Sequence, residues 1–545
     1  MFPPPSCAGR PELQANGAAP GGSVPHPPGR VRVAGPVFGQ MPRLCALQLL
    51  WSDGIDTPAR TRYTRVVPSS SPYLAGSDIT GLARALRRRQ ISSVELTSWT
   101  LERLGRIAPR LNGLAARTPE RALAEARRAD ARIAAGAQQP LVGIPYGAKD
   151  LIGAEDGRAM QARDAVTIAR LRRVGAVLTA KLAVENAGGG WAGLAAVTMN
   201  GGDGRRAEAA AAGPFGFGVN PWDATRWSGG SSSGPAIAVA AGLLPYALGT
   251  ETAGSVVGPA AFCGLSAVRP TFGVLSLVGV VPLAWTLDKV GVLAHSVNDC
   301  AAVFGALVGG AAGRAPLDST LLRRSRRARL RLGFAEEDLA SAAEPARRAL
   351  ARGIAELRGL GPRFDHLAIP ARPYGSLVDT VMRAEGTTTF HDLIASDRFA
   401  SLVTPQQRVG IELGLRLPAH AYLRAMQERE RIREDFEAIF AQCDVLVAPA
   451  QPRTAPPLAE LTARTSGSAP PPEGLLRGNG AINAAGNLAG LPAVVIPCGL
   501  GTDGLPVGLQ LVGPPHSEPL LLGLAAAYQR ETDHHLRRAP LVSEG

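Results

Sequence analysis

From about residue 77 onward, segments with helical spacing of apolar residues alternate with short apolar runs bounded by glycine or proline, and this alternation limits the fold more than any other feature. A strand covered on both faces reads as a short continuous apolar run, and a helix laid over it as a 3.6-residue repeat. Ile79, Leu82 and Leu86 follow the helical repeat. Ser92-Ser93-Val94-Glu95 has the form of a capping box ahead of a second helix, and Thr118-Pro119 opens a third that Gly136 closes. An extended stretch from Leu141 to Tyr146 leads to Lys149. A helical segment through Ile168, Leu171 and Val174 then runs into an expected strand, Ala176-Val177-Leu178-Thr179. Residues 316–445 read as mainly helical, 453–480 as a Pro/Gly/Ser-rich loop, and 492–513 as short strands again. The expected class is α/β, with helices layered on a sheet.

The remaining organisation follows from composition. Residues 1–76 are rich in Pro, Gly, Ser and Arg without sustained periodicity, so a disordered N-terminal extension is expected there and a single domain over 77–545. The extension's Arg-rich, acid-poor balance also fits an organelle transit peptide, against which stands the lack of an amphipathic helix; Met41 offers an internal start. No basic-then-apolar leader opens the chain, and the apolar stretch Ala236 to Thr250 is shorter than the ~20 residues a spanning helix needs. The expected location is therefore cytoplasmic, with no membrane partner. Six scattered cysteines form no CxxC pair and the histidines no HExxH, so reduced thiols and no metal or other cofactor are expected.

The formal net charge is +13, which raises the question of nucleic acid. The densest basic run, Arg323-Arg324-Ser325-Arg326-Arg327, has no interleaved aromatics to stack on bases, so the expectation is a small-molecule amide partner and no nucleic acid. A homodimer is compatible with the sequence. Only three of the 58 basic residues are lysine: Lys149, Lys181 and Lys289. Arginine does not give up its proton in a protein whereas a desolvated lysine does, so each lysine is a place to look for chemistry.

Three segments carry that chemistry: Gly143 to Leu151, ending in Lys149-Asp150-Leu151; Ser228-Gly229-Gly230-Ser231-Ser232-Ser233-Gly234; and Gly249-Thr250-Glu251-Thr252-Ala253-Gly254-Ser255. Taken singly they read as a surface lysine, a flexible loop and a turn. Together they supply more. The serine run leads into Pro235-Ala236-Ile237-Ala238, a helix start whose free N–H groups favour developing negative charge. The Ser255 loop offers backbone N–H groups of the kind an oxyanion hole needs. A serine hydroxyl needs a base, and with no histidine in or beside these segments a neutral lysine is the candidate, Lys149.

These segments resemble the amidase signature family, with its GGSS-G-G run, its glycine-rich GTD-GGS stretch and a lysine in an upstream GxP-xxxKD segment. Ser231 and Ser255 lie twenty-four positions apart, as the family's relay and nucleophilic serines do. Asn220-Pro221-Trp222-Asp223, Arg269-Pro270-Thr271-Phe272-Gly273, Thr286-Leu287-Asp288, Tyr422-Leu423-Arg424-Ala425 and Asn487 to Pro492 also fit, from about Asp78 to the C-terminus. The resemblance implies an α/β/α sandwich with a large mixed central sheet. It implies an amidase that cleaves a carboxamide to carboxylate and ammonia or amine through an acyl-enzyme. Ser255 would be the nucleophile, Ser231 the relay in a cis peptide with Gly230, and Lys149 the base. Thr252, Ala253 and Gly254 would form the oxyanion hole with the Ser255 N–H; Ser232 would support the relay, and Lys181 would be structural.

The sequence also departs from the family. Glu251 stands for the usual Asp, Val257 for an arginine two positions after the nucleophile, and Ala253 for a glycine. If the acid and the missing arginine pair in the family, Glu251 needs another partner, and Ala253 is strained if its position requires a positive φ. The loop after Lys149, Ile152 to Gln161, is short, and Gly201 to Gly213 reads as an added or altered segment. Three other readings follow. One is the A subunit of a tRNA-dependent amidotransferase, against which stands the short loop. Another is a catalytically impaired binding protein of the same fold. The third is a GxSxG elbow with Ser232 attacking, which needs a strand at Asp223 to Trp227, where the sequence is a poor strand former.

Overall fold

The computed structural model describes residues 78–154, 163–185, 194, 216–309, 330–334, 340–397, 399, 403, 405–465 and 480–540. The expected extension, the basic run 323–327, residues 201–213 and most of the loop after Lys149 fall outside these. All described residues belong to the compact unit Val66–Gly545.

The expected alternation is realised as one eleven-stranded sheet covered by helices on both faces, an α/β/α sandwich. Its strands are β1 (Leu114–Arg117), β2 (Pro145–Lys149), β3 (Val177–Leu182), β6 (Tyr246–Glu251), β7 (Ser266–Arg269), β8 (Lys289–Ala294), β9 (Arg331–Phe334), β10 (Arg363–His366), β11 (Val445–Pro449), β12 (Ala493–Leu500) and β13 (Pro506–Val512). The two short strands β4 (Val219–Asn220) and β5 (Asp223–Trp227) form a separate antiparallel ribbon. The order in the large sheet is β1-β3-β2-β6-β8-β7-β12-β13-β11-β9-β10. β2 runs parallel to β3 and β6, and β9 runs parallel to β10 and β11; the remaining pairs are antiparallel, so the sheet is mixed.

The two-residue period of a strand decides which side chain enters which layer. Tyr146, Ala148, Tyr246, Leu248, Val268, Val290, Val292 and Val494 join the core on one face. Ala247, Ala267, Leu293 and Val495 join the core on the other, beneath the helices Ser233–Ala240 and Val257–Phe262. By the same alternation Lys149, Glu251 and Lys289, one residue out of phase with Ala148, Thr250 and Val290, lie on this second face. The carboxyl ends of parallel β2 and β6 thus deliver Lys149 and Glu251 to one place, the usual location of sites in such sheets.

Most local expectations hold. Helices span Ile79–Arg87, Ser93–Ile107 and Pro119–Ala134, and the capping box forms, Ser92 and Glu95 exchanging hydrogen bonds at 2.9 and 3.1 Å. Three differ. Asp223–Trp227 is a strand after all, stabilised by pairing with β4 and by a bridge from Arg226 to Pro457, neither of which its composition reveals. The expected loop over 453–480 contains the helix Leu458–Thr465. The mainly helical stretch 316–445 also contributes β9 and β10, four residues each and too short for periodicity to register. Among the described residues no helix is long and apolar enough to cross a membrane.

The helix Ser233–Ala240 packs so tightly that Gly234 has no room for a side chain. A Cβ there would stand 2.3 Å from the Ala183 nitrogen and 2.6 Å from the Gly113 oxygen, both backbone atoms. Gly234→Ala should therefore destabilise the protein by about 1–3 kcal/mol, the usual cost of overpacking. The check is a lowered denaturant midpoint with an unchanged m-value.

Candidate active site

All three lysines are buried, each by the end of a strand. Lys181 donates to the Asp150 and Ile152 carbonyls and lies 3.5 Å from the Asp150 carboxylate, which ties β3 to the chain leaving β2. Lys289 donates to the Leu287 carbonyl. Lys149, 0 % exposed, donates to Ser231 Oγ at 2.7 Å and to the Thr250 carbonyl at 3.2 Å. Burial pushes the Lys149 ammonium down to about 7, against the opposing pull of the Asp288 and Glu251 carboxylates. Near neutral pH this amine is thus available in its uncharged form, able to accept a proton as well as donate one.

The serine run is held from three sides. The peptide Gly230–Ser231 is cis, and Gly229 has a φ of +86°, a conformation that favours glycine. The Ser231 carbonyl accepts from the Glu185 N–H at 3.2 Å. Ser232 Oγ donates to the Thr250 carbonyl at 3.1 Å and accepts from the Thr250 N–H at 3.3 Å, and the Ser232 N–H donates to the Ser255 carbonyl at 3.2 Å. Ser232 therefore ties the serine run to the Ser255 loop. Being wholly buried, it is not the exposed serine of a nucleophile elbow, and β5 lies outside the large sheet that such an elbow would follow. The elbow reading fails on both counts.

Ser255 is half-buried, and among the described residues its hydroxyl makes no hydrogen bond; it meets the Lys149–Ser231 pair through the backbone contact with Ser232. Among the described residues the backbone N–H groups of Ala253, Gly254 and Ser255 likewise have no partner, which leaves them open to an incoming oxygen. Gly254 has a φ of +110°, whereas Ala253 is not among the positive-φ residues. The alanine in place of glycine is thus free of the strain considered above.

Glu251 has found the partner it needs. It accepts from Arg269 at 3.1 Å and Asn487 Nδ2 at 2.9 Å with one oxygen, and from the Val256 and Val257 N–H groups at 2.7 and 2.9 Å with the other. Burial alone would raise this carboxyl, yet Arg269, the Val257 N–H, Asn487 and Lys289 hold it below the usual carboxylate range. Sequence reasoning missed Arg269 as the partner. The signal was its place in Arg269-Pro270-Thr271-Phe272-Gly273, where an arginine replaces the family's lysine as another is lost at Val257.

Two further acids were given no role by the sequence reading, although Asp288 stands in one of its family-like segments. Glu185 accepts from Gly218 N–H at 2.7 Å and Trp227 Nε1 at 2.5 Å, and burial raises its carboxyl well above the usual range. Asp288 accepts from Thr252 Oγ1 at 2.6 Å. A cavity of about 410 Å³ is lined by Trp285, Glu385, Thr387, His391, Leu415 and Tyr422 among others. Apart from Trp285 its lining comes from residues 384–422, and neither Ser231 nor Ser255 is in its wall. Among the described residues no group of three or more His, Cys, Asp or Glu is placed to hold a metal.

Residues 95–522 match the family described as Amidase. The chain belongs to the amidase signature family of serine amidohydrolases. Among curated relatives, the A subunit of glutamyl-tRNA(Gln) amidotransferase from Azoarcus sp. (strain BH72) is 34% identical over 515 residues, covering 85% of this chain and 100% of the relative. That of Roseiflexus sp. (strain RS-1) is 35% identical over 506 residues, covering 84% and 97%. Among solved structures, the peptide amidase from Stenotrophomonas maltophilia is 29% identical with a TM-score of 0.68, covering 86% of this chain and 99% of that one. As an amidase signature chain, the protein carries an enzyme fold built for amide hydrolysis.

The relatives correct the expected partners. Their name carries glutamyl-tRNA(Gln), so the expectation that excluded nucleic acid does not hold. That expectation rested on arginines spread along the chain and on one basic run without aromatics, neither of which excludes a nucleic-acid partner.

The Glu251–Arg269 pair gives the first test of this site. Arg269→Met should cost about 3–5 kcal/mol, because it leaves a buried carboxylate without its cation. The loss should shrink as pH falls from 7, because burial raises the abandoned carboxyl above its ordinary value and it takes up a proton there; denaturant melts at pH 7 and pH 4 check it.

Proposed function

We propose that this chain hydrolyses a primary carboxamide and releases ammonia as the A-type subunit of a tRNA-dependent amidotransferase. The observation that carries the chemistry is the 2.7 Å hydrogen bond from a fully buried Lys149 to Ser231 beside the Ser255 loop. Support for the place in an amidotransferase is the likeness to the A subunits of such enzymes over 100% and 97% of their lengths.

In this reading neutral Lys149 takes the Ser231 proton as Ser231 takes that of Ser255, whose oxygen attacks the amide carbonyl. The N–H groups of Thr252, Ala253, Gly254 and Ser255 receive the developing oxyanion. The proton returns through Ser231 to the leaving nitrogen and ammonia departs. Water, activated along the same path, then attacks the ester carbonyl, and the acid leaves with Ser255 restored. Ser232 keeps the two loops in register, and Glu251 holds the start of the helix Val257–Phe262.

A second reading, an amidase acting alone, is favoured by the 29% identity to the peptide amidase over 99% of that protein. Ammonia release separates the two. The chain should turn over glutamine or asparagine only with the protein partners that co-purify with it; full turnover of peptide amides by the chain alone would establish the second reading.

Two outcomes test the chemistry common to both. Ser255→Ala, Ser231→Ala and Lys149→Ala should each lower turnover by roughly 10⁴-fold or more with an unchanged melting temperature. Full turnover by the Ser255 variant would refute the nucleophile. Because the base works unprotonated, kcat/KM should rise with pH through about 7, where Lys149 loses its proton.

A further inference from the structure

Beyond its last ladder pair, Glu251 opposite Lys289, the antiparallel register of β6 and β8 sets Thr252 against Asp288. Both side chains are buried, and Thr252 Oγ1 donates to Asp288 Oδ1 at 2.6 Å. The other oxygen, Oδ2, accepts from the N–H groups of Leu283 and Ala284 at 2.7 and 3.0 Å. Asp288 therefore spans from the start of the Ser255 loop to the turn 283–288.

That turn is itself a rigid anchor. Arg429, buried, donates to the Thr286 hydroxyl and carbonyl at 2.9 and 3.0 Å. Glu385 accepts from the Thr286 N–H at 3.0 Å and from its hydroxyl at 2.6 Å. The far end of the loop is held by the Ser255 carbonyl and by Glu251 on the Val256 and Val257 N–H groups. Between these two ends, Ala253, Gly254 and Ser255 spend no N–H on the described residues.

We propose that Asp288 is a positioning residue for amide hydrolysis: through Thr252 it holds the Ala253–Ser255 N–H groups in line for the oxyanion. This rests on the reading of Ser255 as nucleophile. The charged groups acting on Lys149 are Asp288, before β8, and Glu251, on β6. Glu251 is offset by Arg269 and Lys289, and Asp288 by Lys289. Burial lifts the Asp288 carboxyl to about 6, so above that pH its charge is present and favours protonated Lys149. Removing it makes Lys149 easier to deprotonate.

The test is the rate at which a fluorophosphonate probe labels Ser255 in the full chain, followed by mass spectrometry from pH 5 to 9. Asp288→Asn keeps the shape but has one acceptor oxygen instead of two. It should slow labelling about 10–100-fold, in line with a misaligned oxyanion hole, and move the acid limb to lower pH. Thr252→Val, which leaves the charge, should slow labelling without moving the limb. An Asp288→Asn rate within twofold of the parent, or a stationary limb, overturns the proposal. If Asp288→Asn does not fold, Thr252→Val decides: tenfold slowing supports the proposal and a parental rate overturns it. Failure of the underlying reading is distinct, because the parent chain would then go unlabelled at Ser255 or the Ser255→Ala variant would still be labelled.

Discussion

The site depends on keeping one amine out of water. A lysine in solvent holds its proton about three pH units above neutrality and cannot act as a base there; desolvation removes that preference. Here β2 ends at the buried position Lys149, where burial outweighs the pull of the Asp288 and Glu251 carboxylates. Glu251, on the neighbouring strand β6, is committed to Arg269, Asn487 and two helix N–H groups. The ion pair of Glu251 and Arg269 thus sits at the start of the helix after Ser255 and anchors it.

The second constraint is register. Lys149, the serine run and the Ser255 loop are far apart along the chain, and no local interaction brings them together. Parallel pairing of β2 with β6 does so, since both strands end at the same edge and the alternation of side chains sends Lys149 and Glu251 to one face. Ser232 then closes the gap by bonding both the Thr250 backbone and the Ser255 carbonyl.

Much of this was legible in the sequence. The helices, the buried strands and the three segments stand out because each has a local cause: a capping box, an apolar run, a Gly/Ser cluster. The lysines stand out because arginine carries nearly all other positive charge. What the sequence hides is pairing between distant residues. Arg269 meets Glu251 across 18 residues, and Asn487 meets it across 236. β5 exists because of its partner strand, and β9 and β10 are too short to show a period. The nucleic-acid partner was misread for a related reason: a single basic run without aromatics is too little to exclude one.

The scarcity of lysine makes the central claim directly measurable. With ¹³C at lysine Cε, the chain should give three main signals, and Lys149→Arg identifies the one that matters. Its chemical shift should titrate near pH 7, showing an amine half-deprotonated where the enzyme works. A Lys149 signal that stays in the ammonium form until about pH 10, the range of a lysine in solvent, would contradict the account, because no neutral base would then stand beside Ser231.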